Sequence, residues 1–444
     1  MAYPLRPSRT LLAFLITGST AGTLLGSGFQ LREQSPSAQG NAYAGISAGG
    51  TDIGSMFFNV ATLTRFEGNQ AVLGFSSITP SARLEGGSAS RATLLGGSPV
   101  SGTAGGDAGR QAVLPVAYAL WSASPDLKLG LSLNSPFGLG SEYEANWIGR
   151  YHAIKSQITV VEVAPSLAWR VDSRWSLGAA VVARYVDAEL TNAVDFGAVG
   201  AALHIPGFIP GTQDGTVEVT GKQWRYGYKL GVLFEPTQDL RLGAAYHSRI
   251  DFALKGDVRY GGVPTALQAA FQDGGATPRA NQPATASLGA AWEVTPGLNL
   301  QAEASRTFWS CFQDIRIEFA TGQSTSVTEE KWKDTWFTSL GTTWKPNDTW
   351  TFRAGVAKDQ AATSDAYRTP RIPDADRTWL SAGAGYAFSK AFALDLGYSY
   401  IFVRDSTLSL KAGSPGNPDF FRGNLSGTYR NRIQVLALQA RYSF

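Results

Sequence analysis

Long apolar runs are missing from this chain, and so are most of the residue types that build disulfides and metal sites. No stretch reaches the roughly 18 apolar residues that a membrane-spanning helix needs. The single cysteine, Cys311, excludes an internal disulfide, and only 3 scattered histidines are present. With 38 basic and 35 acidic residues, the net charge of +3 leaves no electrostatic footprint for nucleic acid. We therefore expect no metal, no cofactor and no nucleic-acid partner.

Charged residues are also scarce, at 16% of the chain, against the quarter that is usual in soluble proteins. Glycine (50 residues) and aromatic side chains (11%) are abundant instead. A transmembrane β-barrel has this profile, because one face of each strand meets lipid and the other a polar interior. A large secreted β-protein would share it, so composition alone leaves both classes open.

The N-terminus has the order of a secretory signal peptide. Arg6 and Arg9 precede an apolar run at residues 11–16, and small residues follow. A small-x-small cleavage site ends at Ala21, and a cut just before Gly28 is the alternative. We take residues 1–27 as the signal peptide and expect the mature protein to be exported.

Apolar and polar residues alternate with a period of two in several segments, which is typical of half-buried strands. The clearest is residues 223–236, where Trp224, Tyr226 and Tyr228 alternate with polar or small residues. Residues 127–134, 350–356 and 435–444 follow the same rule. Because no amphipathic helix is available to cover these faces, lipid is the simpler partner.

Turn signals then count the strands. Six tight connections lie at residues 122–126, 172–174, 236–239, 295–297, 345–348 and 389–391. With a first strand near residues 70–79 and a last at 427–444, they predict fourteen strands. The connections on the other side are long, at residues 80–110, 137–156, 187–222, 251–280, 309–333, 358–377 and 405–426. Short turns on one side and long external loops on the other are typical of outer-membrane barrels.

The segment from Gly28 to Arg65 differs from the rest, because small residues separate single apolar anchors such as Phe29, Leu31 and Ile53. This composition favours short helices packed inside a confining wall. The fold class we predict is an all-β membrane protein: a fourteen-stranded antiparallel transmembrane β-barrel (residues 68–444) with a small helical hatch (residues 28–67) in its lumen.

Four stretches resemble the FadL-type outer-membrane transporters of long-chain fatty acids and other hydrophobic compounds. They are GFQLREQSPSAQGNAYAG from Gly28, PFGLGSEYEANWIGRYHA from Pro136, VAPSLAWRVDSRWSLGAA from Val163, and the closing QVLALQARYSF. The resemblance implies the same barrel with an N-terminal hatch. It also implies gating by hatch residues, which we assign to Phe29, Leu31, Asn59, Val60 and Ala61. The family's Asn-Pro-Ala motif reads Asn59-Val60-Ala61 here, which leaves ligand-triggered movement at that turn open.

Two external loops are unusually apolar, at residues 187–222 and 251–280. Their apolar residues are Phe196, Leu203, Ile205, Phe208 and Ile209 in one loop, and Val263, Leu267 and Phe271, at helical spacing, in the other. Such residues either cover one another or form a binding surface. The resemblance favours a groove that first captures a hydrophobic ligand.

Several arginines lie on the polar faces of strands, and an arginine in a partly dry lumen can hold a carboxylate. Arg184 and Arg225 flank the apolar loop at residues 187–222 and are our candidates for the carboxylate of a ligand.

The function we expect is passive uptake of long-chain fatty acids or similar hydrophobic molecules across a Gram-negative outer membrane. An aromatic-hydrocarbon (toluene-like) channel of the same family is the alternative. A lipid-acting enzyme, a surface adhesin and a general porin are rivals from other classes. The expected partners are the hydrophobic ligand, outer-membrane lipid and, from the C-terminal Tyr442 and Phe444, the barrel assembly machinery. We expect a monomer.

Overall fold

The computed structural model describes residues 28–417 and 419–444, so the predicted signal peptide lies outside the described residues. Fourteen antiparallel strands form one closed wall, which confirms the predicted barrel. The wall strands are β1 (Gln70–Ser90), β2 (Ala112–Ser122), β3 (Leu127–Asn134), β4 (Lys155–Arg170), β5 (Trp175–Asp195), β6 (Asp214–Phe234), β7 (Leu240–His247), β8 (Thr285–Thr295), β9 (Leu298–Thr307), β10 (Thr335–Trp344), β11 (Trp350–Asp359), β12 (Arg377–Ala387), β13 (Phe392–Val403) and β14 (Asn424–Ser443).

The barrel closes between its first and last strands. Gln70 of β1 lies opposite Ser443 of β14 on one side and opposite Leu120 of β2 on the other. Each of the six tight turns predicted from the sequence joins two neighbouring wall strands, from β2–β3 to β12–β13. Both ends of the wall therefore lie at the rim that carries the short turns.

The alternation of side chains is as predicted. On β6, Trp224, Tyr228 and Leu230 are exposed on the outer face, whereas Lys229 and Leu233 are buried inside. Lipid therefore replaces a second protein layer as the cover of the apolar face. Residues 28–417 and 419–444 include no helix of the length and apolarity that crossing a membrane requires.

Several strands run further outward than the sequence pattern predicted. β5 continues to Asp195 and β6 begins at Asp214, inside the loop predicted at residues 187–222. Strand pairing beyond the membrane needs no apolar face, so the alternation that marks the membrane part stops earlier than the sheet. Six short strands extend the sheet outside the wall: Gly138–Glu142, Gly256–Gly261, Gly274–Pro278, Asp314–Phe319, Ser326–Glu329 and Ser406–Leu410.

Within residues 28–417 and 419–444, helical structure is confined to the hatch and the outer loops. The α-helices are α1 (Pro36–Gln39) and α2 (Phe196–Ala202). The 3₁₀ helices are Ile46–Ala48, Ile53–Phe57, Val60–Arg65, Thr93–Leu95, Thr265–Leu267 and Trp309–Cys311.

The hatch lies inside the lumen, against glycines of the wall. A Cβ atom on Gly243 would lie 1.8 Å from the carbonyl oxygen of Ser47, and one on Gly178 would lie 2.3 Å from the amide nitrogen of Ala61. Only glycine permits so close an approach. Polar anchors add to this packing: Ser47 donates its hydroxyl to Glu303 over 2.5 Å. The predicted hatch in the lumen is confirmed.

Candidate functional site

The barrel wall is interrupted at residues 135–137, which we call the wall break. The β2–β3 ladder ends at Leu133. Along β4 the register shifts between Asn134, the last residue of β3, and Gly138, the first residue of the next short strand. Residues 134–140 are all buried, so the chain turns into the lumen here. The start of the hatch pairs with it instead, because Leu31 donates its N–H to Pro136 and Gly138 donates to Phe29, each over 2.9 Å.

Phe29 fills an aromatic cage beside the wall break. Its ring centroid lies 4.8 Å from that of Trp309, 5.5 Å from Phe312, and 5.8 Å from both Phe137 and Trp332. Phe29 is completely buried and Leu31 almost so. Withdrawal of this hatch segment would therefore leave an apolar, aromatic-lined space at the gap in the wall.

The hatch turn at Asn59-Val60-Ala61 is held against β5 and β6 of the wall. The Asn59 side chain donates to the carbonyls of Ser47 over 2.7 Å and Val232 over 2.9 Å, and accepts from the N–H of Ala61 over 3.0 Å. All three residues of the turn are buried. This turn therefore fastens the hatch to β6, far along the chain from the segment that meets the wall break.

The predicted groove residues fall into a covered group and an exposed group. Phe196 packs edge-to-face on Phe271 with ring centroids 5.0 Å apart, and both Phe196 and Leu267 are buried. Leu203 and Ile209 are 60% and 61% exposed. The remaining three, Ile205, Phe208 and Val263, are half-buried. The two apolar loops thus cover each other in part and still present apolar side chains to the outside.

The helical spacing expected for Val263, Leu267 and Phe271 is realised only as one turn. A 3₁₀ helix spans Thr265–Leu267, and Phe271 donates its N–H to the carbonyl of Leu267 over 3.1 Å. Pro264 immediately before the turn and the glycines that begin the strand Gly274–Pro278 leave too few residues for a longer helix.

A buried ionic cluster lies on the inner face of the wall. Arg184 donates its Nε to Glu162 over 2.9 Å and its Nη1 to Gln282 over 2.7 Å. The Lys229 ammonium lies 2.6 Å from the other oxygen of Glu162. Two cations therefore share one carboxylate, which leaves a surplus positive charge. Arg184 also lies 5.1 Å from the ring of Phe137, at the wall break.

Arg225 does not join this cluster, although its Cα lies directly opposite that of Arg184 in the β5–β6 ladder. It is exposed, and the one hydrogen bond of its side chain within the described residues is a long one, 3.5 Å, to the carbonyl of Trp224. The two arginines proposed for a ligand carboxylate therefore stand in different surroundings.

A cavity of about 640 Å³ lies among the outer loops and is lined by polar residues, including Thr369, Arg371 and Arg422. Beneath it, Glu330 accepts hydrogen bonds from Trp332 (3.0 Å) and Thr369 (3.2 Å). Burial raises the pKa of Glu330 to about 8, whereas the pKa of Arg371 is lowered to about 9, chiefly by burial. These loop groups are thus poorly hydrated and support the cage around Phe29 through Trp332.

Sequence reasoning missed Glu162, Lys229 and Gln282 as partners of Arg184. Glu162 was visible as a lone acidic residue in the apolar run TVVEVAP, and Lys229 as a cation on the polar face of β6. The aromatic partners of Phe29 had no local signal, because Phe137, Trp309 and Trp332 come from distant loops.

Comparison with known proteins places this geometry in a family. A long-chain fatty acid transport protein of Salmonella typhi is 30% identical over 390 residues, covering 84% of this chain and 87% of the relative. The crystal structure of a Pseudomonas aeruginosa FadL homologue superposes with a TM-score of 0.86 at 28% identity, covering 94% of this chain and all of that one.

The fold alone is shared with the toluene transporter TodX of Pseudomonas putida. That crystal structure gives a TM-score of 0.69 at 18% identity and covers 94% of this chain and all of its own. The model of the family described as outer membrane protein transport protein (OMPP1/FadL/TodX) matches residues 18–444. The chain therefore belongs to this family of outer-membrane proteins.

Proposed function

We propose that the protein takes up long-chain fatty acids, or similar hydrophobic molecules, across the outer membrane without an energy source. The observation that carries the proposal is the wall break filled by the hatch, where Leu31 pairs with Pro136 and Phe29 fills an aromatic cage. A ligand that takes the place of Phe29 loosens the hatch segment that completes the wall. Burial of its apolar surface, at about 25 cal/mol per Å², drives the exchange.

Capture precedes this step. The exposed Leu203 and Ile209, on a loop whose Phe196 packs on Phe271, form the outer edge of an apolar groove. Phe208 and Ile205 extend it on the same loop, and Leu267 supports it from beneath. The ligand moves inward from this groove to the ionic cluster at Arg184.

The surplus charge of the cluster selects the ligand head group. Among the described residues, Glu162 is the one acid that Arg184 and Lys229 pair with, so a second carboxylate can be neutralised there. A carboxylate leaving water needs such a partner, because its desolvation is otherwise costly. Fatty acids therefore fit this lumen better than uncharged aromatic hydrocarbons, which are the ligand named for the more distant TodX. We also propose that the protein works as a monomer and that the barrel assembly machinery inserts it into the membrane.

An enzymatic role has less support. His152 and His247 lie 3.1 Å from the backbone carbonyls of Gly423 and Phe58, respectively, and His204 is exposed on an outer loop. No arrangement of a serine with a histidine and an acid is needed to account for these contacts.

The test is uptake by the intact protein in liposomes. Vesicles with the protein should accumulate a fluorescent long-chain fatty acid delivered from albumin much faster than protein-free vesicles, with no nucleotide or ion gradient. Large, steady ion conductance with no preference for fatty acids would contradict the proposal and favour a general porin.

A further inference from the structure

A second stretch of the wall lacks strand pairing, on β6, three strands along the wall from β3. β6 pairs with β5 along its whole length, from Asp214 to Phe234. On its other edge, β6 pairs with β7 only over Lys229–Phe234, and with the strand Gly256–Gly261 only over Thr216–Val219. Between these ladders, residues 223–227 of β6 have no ladder partner on that edge. We call these residues the seam.

The chain that should pair with the seam bends into the barrel instead. Ser248 donates its N–H to the carbonyl of Tyr228 over 2.9 Å, and Lys222 and Lys255 exchange hydrogen bonds of 3.0 and 3.3 Å. Between these two fastenings, Ile250 and Leu254 are buried. A Cβ atom on Gly227 would lie 2.7 Å from Ile250 Cδ1, so the bent segment passes just behind the strand. Side-chain packing, rather than a hydrogen-bonded ladder, closes the barrel here.

The seam lies at the membrane surface on the side of the long loops. Its outward side chains are Trp224 and the 73%-exposed Tyr226, followed toward the membrane centre by Tyr228 and Leu230. Aromatic side chains in this order mark the interface between lipid head groups and acyl chains. A backbone group without a hydrogen-bond partner costs several kcal/mol inside the hydrocarbon region. The unpaired edge of the seam lies at the head-group level instead, where a polar group from outside can approach it.

The seam is also cationic. Lys222, Arg225 and Lys255 form no ion pair in the part of the chain that the structure describes. The acidic groups nearby are Asp187, opposite Lys222 in β5, and Asp251, which is engaged by Arg249 over 2.6 Å. Three cations with no ion pair among the described residues thus lie beside a gap in the pairing whose inner side is apolar.

We propose that the seam is a lateral entrance through which a single-chain anionic amphiphile passes from the outer leaflet into the barrel. The inference rests on the proposed function and adds a source for its ligand. The carboxylate of the amphiphile contacts Arg225 and the two lysines, and its hydrocarbon chain lies along the apolar residues behind the seam. On the neighbouring strand β5, Arg184 then binds the carboxylate, since its Cα lies opposite that of Arg225. We expect a single-chain amphiphile rather than a two-chain lipid, because only one strand edge, over residues 223–227, lacks pairing.

The experiment uses the intact protein in liposomes and a hexadecanoic acid that carries a photoreactive diazirine in mid-chain. The acid is preloaded into the leaflet, illuminated, and the cross-linked peptides are identified by mass spectrometry. Cross-links to residues 223–227 and 250–254 are expected. Cross-links confined to the outer loops, or equal labelling of the seam by a diazirine phosphatidylglycerol, would contradict the proposal that the seam is an entrance.

A second measurement separates the entrance from the function as a whole. The triple variant Lys222→Gln/Arg225→Gln/Lys255→Gln should slow transfer of the acid from the leaflet by about fivefold, the size expected for losing exposed ionic contacts. Uptake from albumin in solution, and transfer of neutral hexadecanol, should stay the same. Arg432→Gln is the matched control, because Arg432 is exposed on the outer face of β14, which is paired on both edges. Heat-modifiable migration in gels checks folding.

The outcomes are distinct. If the unaltered protein takes up no acid from either source, the proposed function fails and the entrance fails with it. If it takes up acid from albumin while leaflet transfer is unaffected by the triple variant and the seam is not labelled, only the entrance is wrong.

Discussion

Leu31 donates its backbone N–H to the carbonyl oxygen of Pro136 over 2.9 Å, so the start of the hatch pairs with the wall by a single bridge where β2 and β3 have stopped pairing. Such a bond links the opening of the lumen to the opening of the barrel wall. We therefore expect that movement of the hatch start would open the lumen and the side of the barrel together. The rest of the hatch is held elsewhere, by Asn59 on β6 and by Ser47 on Glu303, and is therefore the fixed part.

Deletion of residues 30–64 should turn the closed barrel into an open one, because the hatch fills the lumen against wall glycines such as Gly243. Single-channel recordings in planar bilayers test this. Conductance should be small or absent for the intact protein and large for the deletion variant. Equal conductance of the two proteins would mean that the hatch does not occlude the pore.

Replacement of Leu203 and Ile209 by serine should weaken capture of hydrophobic ligands without loss of stability, because both side chains are mostly exposed. Burial of each against a ligand is worth about 1.5–3 kcal/mol at most, so affinity should fall by about tenfold or more. Equilibrium binding of a fluorescent fatty acid measures the effect. Phe196→Ser is the contrasting variant, since Phe196 is buried against Phe271 and its loss should lower the melting temperature. Unchanged affinity in the double variant would leave these loops as mutual cover only.

The strands of the wall could be predicted from the sequence because they depend on local patterns. Alternation along residues 223–236 and turn chemistry such as KPND determine strands and hairpins without any distant contact. The same reasoning underestimated β5 and β6, whose outer ends pair in water and need no apolar face.

The site was less accessible, because its contacts join residues far apart in the chain. Arg184 was a candidate from its polar-face position, but its partner Glu162 is set by the register of β4 on β5, and Gln282 comes from an outer loop. The seam at residues 223–227 had the strongest strand pattern in the chain. Missing pairing on one edge leaves no trace in such a pattern.

Arg184→Met should lower affinity for a long-chain fatty acid roughly 10- to 150-fold, the equivalent of a charge-assisted contact of about 1.5–3 kcal/mol. Toluene uptake should hardly change, since toluene carries no charge. Because the substitution leaves Glu162 with Lys229 alone, Glu162→Gln in the same background keeps that lysine free for the ligand and should restore part of the affinity. Equal losses for both ligands in liposome uptake would indicate structural damage, and no loss for either would remove Arg184 from the site.

Stability of the outer loops should depend on Glu330. Burial raises the pKa of this carboxyl from its ordinary value of 4.5 to about 8, so folding favours the neutral form. The free energy of unfolding should therefore decrease as the pH rises from about 4.5 to about 8. Glu330→Gln removes this dependence: its melting temperature should match that of the unaltered protein at pH 4 and exceed it at pH 9. Thermal unfolding in detergent at the two pH values measures the difference. The charged neighbours of Glu330, Arg371 and Asp419, are the same in both proteins.

A parallel shift of both proteins with pH would contradict this role of Glu330. Loss of stability in Glu330→Gln at every pH would have the same meaning, because it would show that the hydrogen bonds from Trp332 and Thr369 require the carboxylate.

Restoring the family's proline by Val60→Pro should make the hatch turn firmer rather than break it. Val60 is the first residue of the 3₁₀ helix Val60–Arg65, a position where helices tolerate proline because the N–H has no helical acceptor. Asn59 before it is extended (φ −145°, ψ 110°), as a residue preceding proline prefers to be. Stability should rise by about 0.4–1 kcal/mol, because the unfolded chain loses freedom. Ala61→Pro is the matched control: it removes the N–H that Asn59 accepts over 3.0 Å and should cost about 1–3 kcal/mol. Thermal unfolding and hydrogen exchange at residues 59–65 distinguish the two, and destabilisation by both substitutions would show that valine, and not merely the absence of a ring, is required at this turn.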